Sequence, residues 1–118
     1  MDRQASCAML LCTASLLIAG RALADGVPVT ITNDGTEDIE VTIYDTTVGP
    51  RAVVLSQRLN GFSTVPLQLS SDPTGRANLS WTAVTVDPRS RRCGHADSHG
   101  LSESASVHVH ADGVCAPT

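Results

Sequence analysis

Apolar residues alternate with polar ones through most of the chain, and this period of two limits the fold more than any other feature. Ile39, Val41 and Ile43 alternate with polar or amphipathic neighbours, and the segment 27–31 has the same pattern. Successive side chains of a β-strand point to opposite faces, so each segment predicts a half-buried strand with its apolar residues inward. No stretch has helical apolar spacing of useful length.

Further strands are predicted along the chain, with different regularity. A less regular one falls at 52–59, and the next contains Pro66. Because proline cannot donate to a ladder, that strand is predicted at a sheet edge or beside a bulge. A polar loop is predicted from 88 to 103, followed by a last strand around Val107.

The longest strand candidate spans 76–87. Alternate residues from Ala77 to Trp81 share one face, which predicts Trp81 at the centre of the core. Beyond Ala83 the valines fall on the opposite face. A β-bulge, or a strand covered on both faces, would explain this slip.

Six or seven short strands, separated by turns rich in Gly and Pro, predict an all-β fold. The expected architecture is a small antiparallel two-sheet sandwich that resembles immunoglobulin domains, and a small β-barrel is the alternative. Trp81 precedes both Cys93 and Cys115, so the Cys-Trp-Cys order of antibody domains is absent. The resemblance is therefore one of architecture, which does not determine function.

The N-terminal segment predicts a cleaved signal peptide at residues 1–24. Arg3 precedes an apolar run at 7–19, and Ala22-Leu23-Ala24 has the small-x-small pattern of a cleavage site. The apolar run is too short to span a bilayer as a helix, so an uncleaved anchor is the less favoured interpretation. The mature chain, 25–118, is then a single domain exported to the periplasm or the extracellular space.

Two cysteines remain in that mature chain, and in an exported protein they predict one disulfide between Cys93 and Cys115. The predicted last strand lies between them and would extend about 26 Å, whereas bridged Cα atoms lie about 6 Å apart. Either the polar loop must therefore run back along the last strand, or the tail must turn back at Asp112-Gly113, or both.

All histidines of the protein lie between these cysteines, at His95, His99, His108 and His110. Asp97 lies between the first two and could be a further ligand. A loop folded over the last strand would bring the imidazoles together, and zinc and copper favour such ligands. The spacing matches no standard metal motif, so solvated surface histidines are the favoured interpretation, with zinc or copper binding as the alternative.

The remaining motifs favour a protein that is not an enzyme and needs no cofactor. The sequence has no Gly-x-Ser-x-Gly motif, and a disulfide would consume the thiol of Cys93. The formal net charge of −4 argues against nucleic-acid binding. We therefore expect an exported, non-enzymatic binding or structural module that acts on a protein or surface partner and has no membrane span after signal cleavage. An extracytoplasmic metal-binding protein is the alternative.

Overall fold

A computed structural model describes residues 26–115, and the predicted signal peptide lies outside the described residues. In this part of the chain no helix is long and apolar enough to cross a membrane. Apart from one 3-10 turn at Pro88–Ser90, the regular elements are strands. They are β1 (Gly26–Asn33), β2 (Ile39–Asp45), β3 (Val53–Leu59), β4 (Thr64–Ser70), β5 (Ala77–Thr85), β6 (Cys93–Leu101) and β7 (Ala105–Val109).

The strands form two sheets, with orders β4-β1-β7 and β3-β2-β5-β6. This confirms the all-β two-sheet sandwich. Neighbouring strands are antiparallel except β1 and β7, which pair in parallel. After β6 the chain passes through the short turn 102–104 into the other sheet. There β7 runs in the same direction as its neighbour β1. Pairing of β1 with β4 and β7 also differs from immunoglobulin domains, where the first strand neighbours the second.

The core lies between the two sheets and contains the residues that alternation places inward. Ile31, Ile43, Leu79 and Val109 are completely buried, and Trp81 is 3% exposed. Trp81 is thus a core residue, as predicted. Burial of this apolar surface is the main force that holds the sheets together.

Pro66 lies on β4, which is an edge strand of the three-stranded sheet, as predicted. The predicted slip at Ala83 is wrong, because Ala83 and Thr85 are both buried and the alternation continues to the end of β5. Thr85 can occupy a core position because its hydroxyl donates to the Ser90 carbonyl oxygen and accepts from the Arg92 amide. The irregular pairing of β5 lies instead near Ala77, opposite Gly100.

The predicted polar loop at 88–103 is also wrong over most of its length, because β6 occupies Cys93–Leu101 and pairs with β5. Its positions opposite the core residues of β5 carry Gly94, Ala96 and Ser98, which are too small to give an apolar alternation. An edge strand that overlies little of the facing sheet needs no larger side chains. The strand therefore has no hydrophobic signal.

The turn between β3 and β4 holds Phe62 in a left-handed conformation, with φ of 62°. Its amide donates to the Gly35 carbonyl oxygen at 3.1 Å, and the Ser63 amide donates to the Asn60 carbonyl oxygen at 3.0 Å. Phe62 is 68% exposed, so the residue gains little from burial. The hydrogen bonds of the turn therefore impose a conformation that a bulky residue disfavours.

Replacement Phe62→Asn is expected to raise the free energy of unfolding by about 0.5–1 kcal/mol, because asparagine tolerates positive φ. Urea denaturation followed by the fluorescence of Trp81 measures the change. Val48→Asn is the control, since Val48 is 64% exposed and has no positive φ. Equal changes in the free energy of unfolding of the two variants would mean that the backbone conformation of Phe62 does not destabilise the fold.

Two surface carboxyls have a pKa below their ordinary value of 3.8. The Arg58 guanidinium donates to Asp38 at 2.6 Å and the Gly61 amide at 3.0 Å, and these bonds lower the pKa of Asp38. Bonds from the Thr74 hydroxyl and the Arg76 amide lower the pKa of Asp72. Both groups favour the ionised form in the folded state.

Acidification is therefore expected to lower the free energy of unfolding. Since the folded-state pKa is the lower one, this contribution is full above the unfolded value of 3.8 and is lost as pH falls through the folded value. Urea midpoints measured from neutral pH down to acid should decline below about pH 4. The double variant Asp38→Asn/Asp72→Asn should show a flatter decline than Glu103→Gln, and an unchanged slope would contradict the assignment.

Candidate functional site

The C-terminal segment after β7, residues 110–115, is called the tail. It crosses from the three-stranded sheet to the start of β6. Cys93 and Gly113 exchange two backbone hydrogen bonds of 2.9 Å each. The predicted disulfide between Cys93 and Cys115 is confirmed, with the Cα atoms 4.9 Å apart. The tail turns back toward β6, as one of the two predicted routes requires, whereas the predicted loop forms β6 and pairs with β5 in the other sheet and not with β7. A disulfide of this kind is typical of oxidising, extracytoplasmic locations.

The tail passes close to β6 at Gly94, which has no side chain to obstruct it. A Cβ atom at Gly94 would overlap the carbonyl oxygen of His110. Any other residue would therefore push the tail away from the sheet. This close approach places His110 and the residues after it at the open end of the sandwich.

Two imidazoles share one carboxylate at this end. His108 Nδ1 lies 3.4 Å from Asp34 Oδ2, and His110 Nδ1 lies 3.2 Å from Asp34 Oδ1. Residues two apart on a strand point to the same face, so the sequence predicted the two histidines together. His108 and His110 are 57% and 44% exposed, respectively, in agreement with solvent-facing side chains. Parallel pairing of β1 with β7 brings Asp34 beside them.

His110 has two further neighbours. Its Nε2 lies 3.8 Å from Asp112 Oδ1, and its ring meets the indole of Trp81 edge to face at a centroid distance of 5.9 Å. His110 therefore contacts both the exposed carboxylates and a residue at the margin of the core. His108, in contrast, contacts Asp34 and is 57% exposed.

An ion pair lies near the same histidine, against the tail. Arg92 pairs with Glu37 and also donates from Nε to the Ala111 carbonyl oxygen at 3.3 Å. The second carboxylate oxygen of Glu37 is buried and has no hydrogen-bond partner among residues 26–115. Arg92 thereby fixes the tail while its charge is offset by Glu37. We call this region the polar end; it consists of Asp34, Glu37, Arg92, His108, His110 and Asp112.

Two cavities open beside the tail. One, of about 500 Å³, is lined by residues that include Asp34, Glu37 and Arg92. The other, of about 640 Å³, extends over β5 and β6 and includes Thr82. His110 and Asp112 line both cavities. The tail therefore forms a wall with ionisable groups exposed to both sides, and each cavity has the size of a small-ligand site.

The structure does not gather all the residues predicted as metal ligands. His95, Asp97 and His99 lie on β6 in the four-stranded sheet, whereas His108 lies on β7 in the other sheet. His95 lines the larger cavity together with His110. Within residues 26–115, no three His, Cys, Asp or Glu side chains form a group that could hold a metal ion.

Sequence reasoning did not identify Asp34, Glu37, Arg92 or Asp112 as site residues. Asp34 belongs to Asn33-Asp34-Gly35, a common turn sequence. Its contact with His108 and His110 depends on the pairing of β1 with β7. No local pattern predicts that pairing. Asp112 carried a weak signal, because the disulfide required a change of direction at Asp112-Gly113.

The chain was compared with protein-family models, with curated protein sequences and with solved structures, and none of them matches it.

Proposed function

We propose that this protein is an exported binding module without enzymatic activity, located in the periplasm or outside the cell. The leader-like sequence at residues 1–24 and the Cys93–Cys115 disulfide support the location. A signal peptidase would release the domain 25–118, which would act through its surface on a partner.

The observation that carries this proposal is the tail wall between two cavities, with His110 and Asp112 exposed to both. The smaller cavity has carboxylates from Asp34, Glu37 and Asp112 but only one guanidinium, that of Arg92, which already pairs with Glu37. Such a lining favours a ligand that donates hydrogen bonds and carries positive charge. We therefore propose a ligand or partner group with an amine or guanidinium.

Backbone amide NMR spectra of the mature domain test this proposal, with putrescine, lysine amide and arginine amide as probes. We expect saturable shifts at Gly35, His110, Asp112 and Gly113, and weaker binding by Asp112→Asn. Glu103→Gln is the matched control, because it removes the same charge from the exposed turn after β6. Absence of saturable shifts at millimolar probe, or equal binding by both variants, would contradict the site.

The alternative function is extracytoplasmic zinc or copper binding. Its support is limited to the pair of imidazoles, His108 and His110, beside Asp34, which do not form a three-ligand group within residues 26–115. Calorimetric titration of the mature protein with Zn²⁺ and Cu²⁺ tests this alternative. Micromolar binding that is lost in His108→Ala/His110→Ala but kept in His95→Ala/His99→Ala would support it. Wild-type protein that binds neither ion would exclude it.

A further inference from the structure

The larger cavity lies over an apolar side chain that the core does not use. Burial alternates along β5 as far as Thr85, so Val84 points to the outer face of the four-stranded sheet. The other outward residues of this strand are polar, namely Asn78, Ser80 and Thr82. Val84 is half-buried and lines the cavity. A ligand in the cavity can therefore cover a valine that the sandwich leaves outside.

Strand register sets the floor of this cavity. Two neighbouring rows of side chains cross β2, β5 and β6 on the outer face, and all six residues line the cavity: Glu40, Val84 and Cys93 in one row, Thr42, Thr82 and His95 in the next. Neighbouring strands lie about 4.8 Å apart, so about 10 Å separates Glu40 from Cys93 across the sheet. That span holds one aromatic ring or one alkyl chain above Val84.

The tail forms the wall of the cavity on the β6 side. Cys93 exchanges two backbone hydrogen bonds with Gly113 and is bridged to Cys115. These links hold Asp112 and Val114 along the rim. Val114 is 97% exposed, so its side chain contributes nothing to the core. The disulfide thus fixes one apolar side chain and one carboxylate beside the floor.

In the described part of the chain, neither carboxylate of the larger cavity is paired with an arginine. Glu40 lies opposite Arg58 in the register of β2 and β3, but that guanidinium bonds to Asp38 at 2.6 Å. The neighbour of Asp112 is His110, whose Nε2 lies 3.8 Å away. Within residues 26–115 no arginine lines this cavity. Its charge therefore favours a cation, and its floor favours an apolar group.

We propose that the larger cavity binds a small amphipathic amine of the arylalkylamine class. The aromatic ring lies between Val84 and Val114, and the ammonium group donates to the carboxylate of Glu40. This inference rests on the proposed amine-binding function through Asp112, which lines both cavities. Glu40 and Val114 line only the larger cavity, so these two residues distinguish its ligand from that of the smaller one.

Backbone amide NMR titrations of the mature domain with phenethylamine and ethylamine test the proposal. The two probes share an ammonium group, and only phenethylamine has a ring, so it should bind at least about fivefold more tightly. Its saturable shifts should fall at Thr82, Val84 and Val114, and not at Gly35, which lines the smaller cavity. The titrations are run at about pH 8, because protonated imidazoles would repel an amine.

Two exposed positions separate the charge from the apolar contact. Glu40→Gln should raise the dissociation constant of phenethylamine about threefold, whereas Glu103→Gln, which removes the same charge elsewhere, should not. Val114→Ser should weaken phenethylamine and leave ethylamine unchanged. Val48→Ser is its control, because Val48 is also exposed and lies outside the strands. Circular dichroism confirms that each variant is folded.

The possible results separate this site from the smaller one. Equal affinity for phenethylamine and ethylamine, or equal binding of phenethylamine by Glu40→Gln and Glu103→Gln, would overturn the inference. If putrescine shifts Gly35 but the phenyl ring brings no gain, the inference fails and the proposed function stands. If phenethylamine shifts Val84 while putrescine leaves Gly35 unchanged, the larger cavity is supported and the smaller site is contradicted.

Discussion

Replacement of Asn33 by alanine is expected to lower the free energy of unfolding by about 3–5 kcal/mol. Asn33 is completely buried at the end of β1. Its amide nitrogen donates to the carbonyl oxygens of Glu37, Leu59 and Asn60 at 2.8–3.1 Å, and its oxygen accepts from the Gly35 amide at 3.0 Å. Alanine would remove this partner from one buried and three part-buried backbone groups. The free energy of unfolding of a folded protein is only about 5–15 kcal/mol in total, so this loss would be a large part of it.

Urea denaturation of Asn33→Ala, followed by circular dichroism and Trp81 fluorescence, measures this loss. Asn60→Ala is the matched control, because Asn60 is exposed in one of the same turns and accepts the bond through its backbone. If both variants unfold at the same urea concentration, the side-chain bonds of Asn33 do not hold the two turns together.

Removal of the disulfide by Cys93→Ala/Cys115→Ala is expected to lower the free energy of unfolding by about 3 kcal/mol. The entropy of closing a loop of this length predicts that value. The two cysteines are 22 positions apart, and the crosslink also holds the tail against β6. Its loss should free Asp112 and Gly113 and open the wall between the cavities. Local opening of the tail should exceed the change in the core strands.

Amide hydrogen exchange separates the local effect from the global one. The amides of residues 93 and 113 bond to each other's carbonyl oxygens in the wild-type protein, and their exchange should accelerate more than exchange in β2. Chemically reduced wild-type protein is the control and should behave like the double variant. Unchanged protection at Gly113 would show that backbone pairing alone holds the tail.

Local sequence patterns were sufficient for β1, β2 and the first half of β5, where large apolar residues alternate over several positions. They failed at β6, because Gly94, Ala96 and Ser98, which lie opposite core residues of β5, are small and only half-buried or exposed. They therefore provide no hydrophobic contrast. They also failed at Thr85, a polar residue buried through its bonds to the Pro88–Ser90 turn and Arg92. Alternation reports burial only where burial requires an apolar side chain.

The polar end shows the same division. The sequence determined that His108 and His110 share a face, because strand geometry is local. It also predicted that Cys93 and Cys115 would pair, because only these two cysteines follow the predicted leader. Only the tertiary structure decided that Asp34 meets both imidazoles, while His95 and His99 lie in the other sheet. That outcome depends on parallel pairing of the first and last strands. Sheet order is set by the packing of the whole core, and no short segment encodes it.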